Sequence, residues 1–172
     1  SIGVNVIVTL SEIRDINILI TGNVDFPGIY TLSGNSNILQ ALDIVGGVSE
    51  NGSLRKITLK RKGKSDINVD LYSALMFGDI TNIPFLMSGD SIHIEPVQNL
   101  VRAGYGFNNA AIFELNDGEK IADLIKFAGG LKKEVNNNSL KLVRFEDNKF
   151  NTYDISFDEA NDLQIKNLDS IY

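Results

Sequence analysis

Few residues in this chain have the type and spacing for chemistry. His93 is the only histidine, and there is no cysteine. A zinc centre draws on several imidazole or thiolate ligands, and a hydrolytic triad needs a base beside its nucleophile. One histidine between Ile92 and Ile94 supplies neither. Strand alternation turns it away from those isoleucines, toward a surface or an interface. Asp154, Asp158, Glu159 and Asp162 invite calcium, yet they lack the alternating carboxylate-and-glycine spacing of a calcium loop. Asp158 reads as the cap of a short turn, with the others solvated. Gly104-Tyr-Gly106 is half of a dinucleotide fingerprint. It has no third glycine and no strand-to-helix setting, so it reads as a hairpin turn or bulge. No catalytic residue, no metal site and no cofactor is expected.

Two arginines remain. Arg61 and Arg144 share strand parity with the aliphatic pairs Ile57, Leu59 and Leu140, Leu142, yet they are charged. Across the following turns lie Asp70 and Asp154. The expectation is that each arginine pairs with the aspartate of its own hairpin, the bidentate fork offsetting partial burial. The functional rival is that they bind an acidic sugar. Tyr30, Tyr105 and Tyr153, on exposed strand positions, are placed for stacking on sugars or for ordinary aromatic packing. The candidate ligand or interface residues are therefore Arg61, Arg144, Tyr105 and Tyr153.

The elements that must position these residues come twice. Ile38-Leu-Gln-Ala-Leu-Asp-Ile-Val-Gly-Gly-Val48 and Ile121-Ala-Asp-Leu-Ile-Lys-Phe-Ala-Gly-Gly-Leu131 stand 83 residues apart from end to end. In each, apolar residues at i, i+3, i+4 and i+7 make one helical face: Ile38, Ala41, Leu42, Val45 and Ile121, Leu124, Ile125, Ala128. The pairs Gly46-Gly47 and Gly129-Gly130 read as helix C-caps in the left-handed region. Asn35 or Ser36 is expected to cap the first helix, and Asp117 or a neighbour the second. Ile16 to Val24 and Ile29-Tyr-Thr-Leu32 form a hairpin around Asp25-Phe-Pro27-Gly28, where a type II turn fits. Ile57 to Arg61 and Ile67 to Leu71 form a second hairpin, and Ser91-Ile-His-Ile-Glu95 closes the unit. Arg144 follows Arg61 by the same 83 residues, whereas Asp169-Ser-Ile-Tyr172 follows Asp90-Ser-Ile-His93 by 79, so the loop before the last strand is shorter in the second copy. The expected fold class is α+β: two tandem β-grasp units, each a small mixed sheet crossed by one helix. Residues 16–98 form the first unit and residues 99–172 the second. Residues 1–15, with Val4, Val6, Val8 and Leu10 alternating, read as a strand or linker from a preceding region.

A chain of 172 residues with 43% hydrophobic and 22% charged residues is ordinary for a globular protein. Its formal charge of −6 argues against nucleic acid or an anionic membrane surface as the main partner. No apolar run approaches the ~20 residues that span a bilayer.

Gly22-Asn-Val-x-x-Pro27-Gly28-Ile-Tyr-x-Leu32, Leu39-x-Ala-Leu-x-x-Val-Gly46-Gly47-Val48, Ile57-x-Leu-x-Arg61, Val69-Asp-Leu71 and Leu86-x-x-Gly89-Asp90-Ser-Ile92 occur in that order. This series resembles the soluble-ligand-binding β-grasp (SLBB) domain, tandem copies of which occur in outer-membrane polysaccharide export proteins of capsule and exopolysaccharide systems. The likeness covers Ile16 to Tyr172. In the second copy Asn108-Asn-Ala-Ala111 replaces the Pro-Gly turn and Lys166-Asn-Leu-Asp169 the Gly-Asp step. The resemblance implies a periplasmic, non-enzymatic piece on the inner side of the outer membrane. Such a piece would stack into the wall of a translocation ring. Its partners would be a polysaccharide chain, copies of itself and an inner-membrane co-polymerase component. The family's export domain and membrane-crossing helix are not in this sequence, so the piece is expected to come from a longer protein. The alternative is a small-ligand or oligosaccharide binder without a transport role, which predicts an apolar and aromatic pocket between the units.

Overall fold

The computed structural model describes residues 14–134 and 139–172. The alternating segment Val4 to Leu10 lies outside them. The first sheet is built from β1 (Asp15–Gly22), β2 (Gly28–Ser33), β3 (Gly52–Lys60), β4 (Ile67–Val69) and β5 (Ser91–Pro96), in the order β2-β1-β5-β3-β4. The second contains β6 (Leu100–Ala103), β7 (Ala111–Glu114), β8 (Leu140–Glu146), β9 (Lys149–Ile155) and β10 (Ser170–Ile171), in the order β7-β6-β10-β8-β9. These are the same arrangement. In both, the last strand lies at the centre, parallel to the first and antiparallel to the third.

Each sheet carries one helix between its second and third strands, α1 (Ile38–Ile44) or α3 (Ile121–Phe127), both of seven residues. Helices so short are not stable alone in water. They form because one face is covered: Ile38, Ala41, Leu42 and Val45 are buried in one core, and Ile121, Leu124 and Ala128 in the other. β-strand alternation supplies the rest, with Ile16, Ile18 and Ile20 inward on β1 and Ile57 and Leu59 inward on β3. This is the two-unit β-grasp, α+β architecture that the repeat predicts.

The glycine pairs end both helices. Gly46, Gly47, Gly129 and Gly130 all have positive φ, and the amides of Gly47 and Gly130 return to the carbonyls of Leu42 and Ile125 at 2.8 Å. Two further helices are α2 (Tyr72–Phe77) and α4 (Phe157–Ala160).

Local chemistry departs from expectation at the caps and at one turn. The N-cap of α1 is Asn37, whose side chain accepts from the Gln40 amide while the Gln40 side chain accepts from the Asn37 amide; neither Ser36 nor Asn35 takes this place. For α3 the cap is Lys120, with Asp123 accepting its amide at 2.9 Å, while Asp117 accepts instead from the side chain of Asn99. Ser156, not Asp158, caps α4. Pro27-Gly28 is not a type II turn, because Gly28 has no positive φ and already pairs with Ile20 as the first residue of β2. The left-handed residue is Gly22, where a Cβ would run into the carbonyl of Ile94 on β5. The parallel pairing to the central strand, and not the hairpin turn, is what demands glycine there.

Candidate functional site

Arg61 and Arg144 are spent inside their own units. Arg61 donates through Nε and Nη2 to the two carboxylate oxygens of Asp90 at 2.9 and 2.7 Å, and to the carbonyl of Phe85 at 3.0 Å. Arg144 repeats this with Asp169 at 2.9 and 2.6 Å and with the carbonyl of Gln164 at 3.0 Å. The pairs with Asp70 and Asp154 expected from the hairpins do not form: Asp154 meets Lys141 at 2.9 Å, and Asp70 meets another arginine. The reason is sheet order. Lys60 lies beside Ser91 across the β3–β5 pair, so the next residue, Arg61, reaches the residue before Ser91, which is Asp90. Asp90 and Asp169 are buried, and each also accepts the amide of the residue three before it, Met87 or Lys166, at 2.8 Å. Each clamp ties the loop before the central strand to the strand beside it, β3 or β8. Burial disfavours the charged form of Asp90, but the bonds from Arg61 and from the Met87 amide outweigh it, and its pKa lies below the ordinary aspartate value.

Left-handed geometry follows the same logic. Gly89 (φ 87°) precedes Asp90, and in the second unit Leu168 (φ 68°) takes that position. The Gly-Asp step survives in shape although its glycine has gone.

The arginine that joins the units is Arg55. Its position, two residues before Ile57, gives it the parity of the buried face, the signal that also marks Arg61. Its side chain is 5% exposed. It donates to Asp70 through Nε and Nη2 at 3.0 and 2.9 Å, to Glu119 of the second unit at 2.7 Å from Nη2, and to the Glu114 carbonyl at 3.2 Å. Its guanidinium lies 4.4 Å from the ring centre of Tyr72 and 5.1 Å from that of Phe127. Those two rings meet edge to face, 5.2 Å apart. Glu114, at the end of β7, crosses the other way and accepts from the Ser53 hydroxyl and from the Leu54 amide at 2.9 Å, while its own amide donates to the Tyr72 hydroxyl at 2.6 Å. Met76 of α2, half-buried, packs against the core of the second unit. Among the described residues no buried side-chain polar atom lacks a partner. Burial pushes the Tyr72 hydroxyl up to about 12. For Arg55 burial works against the charge, yet the bonds to Glu119 and Asp70 hold its pKa above the usual arginine value.

Tyr153 donates its hydroxyl to Glu146 at 3.0 Å along the β8–β9 hairpin, a local contact. Tyr105 is 77% exposed and, with Gly106, Lys132, Glu134, Ser139, Lys141 and Tyr172, lines a cleft of about 400 Å³. That cleft belongs to the second unit alone. The ligand-binding alternative expects a pocket between the units; the cleft around Tyr105 lies elsewhere, and among the described residues Arg55 and its partners occupy the joint. His93 is exposed and meets the Thr21 hydroxyl at 3.0 Å. Among the described residues, the acidic side chains around α4 do not gather into a group of three that could hold a metal ion. No described helix is long and apolar enough to cross a membrane.

Two β-grasp units joined by a largely buried polar contact define a tandem-repeat architecture. The SLBB domain model matches residues 18–70 and 106–151, more than half of the chain, and the chain belongs to the SLBB domain family. Two curated relatives, both the polysialic acid transport protein KpsD of Escherichia coli, are each 31% identical over 115 residues, which is 66% of this chain and 20% of theirs. The chain thus spans about a fifth of the length of these relatives.

Proposed function

We propose that this tandem is a structural module of a polysaccharide export protein, acting by shape and not by catalysis. The observation that carries the reading is the Arg55 joint. The Arg55–Glu119 ion pair, with the guanidinium lying against Tyr72 of one unit and Phe127 of the other, couples the two units, which is what a wall element needs and a flexible pair of binding domains does not. The likeness to a polysialic acid transport protein supplies the cargo class. In this reading the units, residues 16–98 and 99–172, stack as tiers of a ring on the periplasmic side of the outer membrane. A polysaccharide chain passes through, and an inner-membrane co-polymerase component feeds it. The net negative charge keeps the wall hydrated.

The test is made in the full-length protein in a Gram-negative host that displays the polymer. Arg55→Ala should lower surface polysaccharide and shift the assembly from rings to smaller species in sedimentation. Normal polymer display, with the protein sedimenting as a monomer, would overturn the ring reading.

A further inference from the structure

We propose that the cleft walled by Tyr105 and Tyr172 is a docking site for a short run of a saccharide chain, an inference that rests on the export reading and places the cargo contact in the second unit. The wall is fixed by the sheet. Gly104 donates its amide to the Ile171 carbonyl at 2.7 Å, and the Tyr172 amide and carbonyl both bond to the Lys141 backbone at 2.9 Å. A Cβ on Gly104 would run into the Tyr172 ring, so the ring lies on bare backbone. Tyr105 meets it with ring centres 6.4 Å apart and planes 42° from parallel. Tyr105 sits in the turn after β6, not on a strand as expected, and Tyr172 just past β10; the two rings, the first largely exposed, present apolar faces that the core of the unit does not use.

The rim suits a sugar better than an apolar ligand or a bare anion. A pyranose offers a C–H face for stacking and a ring of hydroxyls that both donate and accept. Lys132 and Lys141 supply donors, Glu134 an acceptor and Ser139 both. Lys132 is anchored by its own amide on the Gly106 carbonyl at 2.9 Å. The Lys141 ammonium already touches Asp154. With Glu134 and Asp154 close by, the site is of mixed sign, so binding should depend on stacking first and charge second. The volume sits at the lower end of the range for ligand pockets, about 300–1,000 Å³, which fits part of a chain.

The purified protein is titrated with a sialic acid hexamer and with maltohexaose, read by backbone amide NMR shifts. Shifts should centre on Tyr105, Gly106, Lys132 and Lys141 with millimolar affinity. Tyr105→Ala should weaken binding by about tenfold, Tyr105→Phe should retain it, and Tyr153→Ala should leave it unchanged. Absence of shifts with both oligosaccharides, or shifts that persist in Tyr105→Ala, would overturn the site. In cells, Tyr105→Ala should reduce polymer display with rings intact. If Arg55→Ala blocks display and Tyr105→Ala does not, the docking site is wrong and the module's role stands.

Discussion

Replacing Arg55 by alanine tests whether the two units are one body. The wild-type side chain is 5% exposed and faces Asp70 (38% exposed) and Glu119 (20% exposed). Removing one member of a buried pair costs about 3–5 kcal/mol, mostly through the charge left behind. Asp70 is open enough for water to take over its oxygens, which places the loss at the lower end, about 3–4 kcal/mol. For a chain of this size, at roughly 2–4 °C per kcal/mol, the melting temperature should fall by about 6–16 °C. Scanning calorimetry should record one endotherm in the wild type and two in Arg55→Ala, because the joint is what makes melting of the units cooperative. Glu119→Gln in the Arg55→Ala background should cost less than Glu119→Gln alone, since the carboxylate no longer has its partner. Two separate endotherms in the wild type, or a drop below about 2 °C in the variant, would refute the reasoning.

Leu168 sits in the left-handed region with its side chain 69% exposed, so Leu168→Gly removes strain at little loss of burial and should stabilise the second unit by about 0.5–1 kcal/mol, measured by urea unfolding. Its mirror, Gly89→Leu, should destabilise the first unit by a similar amount, since a Cβ at Gly89 meets no neighbour and only φ objects. The depressed pKa of Asp90 contributes stability that is present above the ordinary aspartate value and lost as pH falls below about 4. Unfolding followed against pH should therefore have a weaker acid dependence in Asp90→Asn than in the wild type. Tyr72, with its pKa raised, should lend stability below pH ~10 that fades as the pH climbs toward 12. Ultraviolet titration should find one tyrosine ionising near that upper value in the wild type and none there in Tyr72→Phe.

Much of the fold was legible because it is written twice. The 83-residue repeat fixed the helices, the glycine caps and the strand series, and the differing offset of Asp169 marked the shorter loop. The hairpin pairing expected for Arg61 and Arg144 fails because hairpin neighbours are close in sequence, whereas the true partners, Asp90 and Asp169, stand immediately before the central strand, contributed last. Had sheet order been applied, Lys60 opposite Ser91 would have named Asp90. Arg55 was missed although it carries the same parity signal as Arg61; its partners Glu114 and Glu119 lie in the other unit, and no periodicity reports contacts between units. The caps went astray by one to three residues because polar runs such as Ser33 to Asn37 offer several equivalent hydrogen-bond acceptors, and only the exact helix start chooses among them.

Each sheet is completed by its final strand. Until β5 arrives, β1–β2 and β3–β4 are two separate ribbons whose oily sides have no common floor, and β10 stands in the same relation to β6–β7 and β8–β9. Ile20 waits for Ile92 across more than seventy residues of intervening chain, so closing the loop is slow relative to forming either ribbon. A growing or threading chain therefore stays pliable until its last segment is delivered, then stiffens at once. Deleting Ser170 and Ile171 would not trim an edge; it would remove the keel and leave the second half as two loose ribbons.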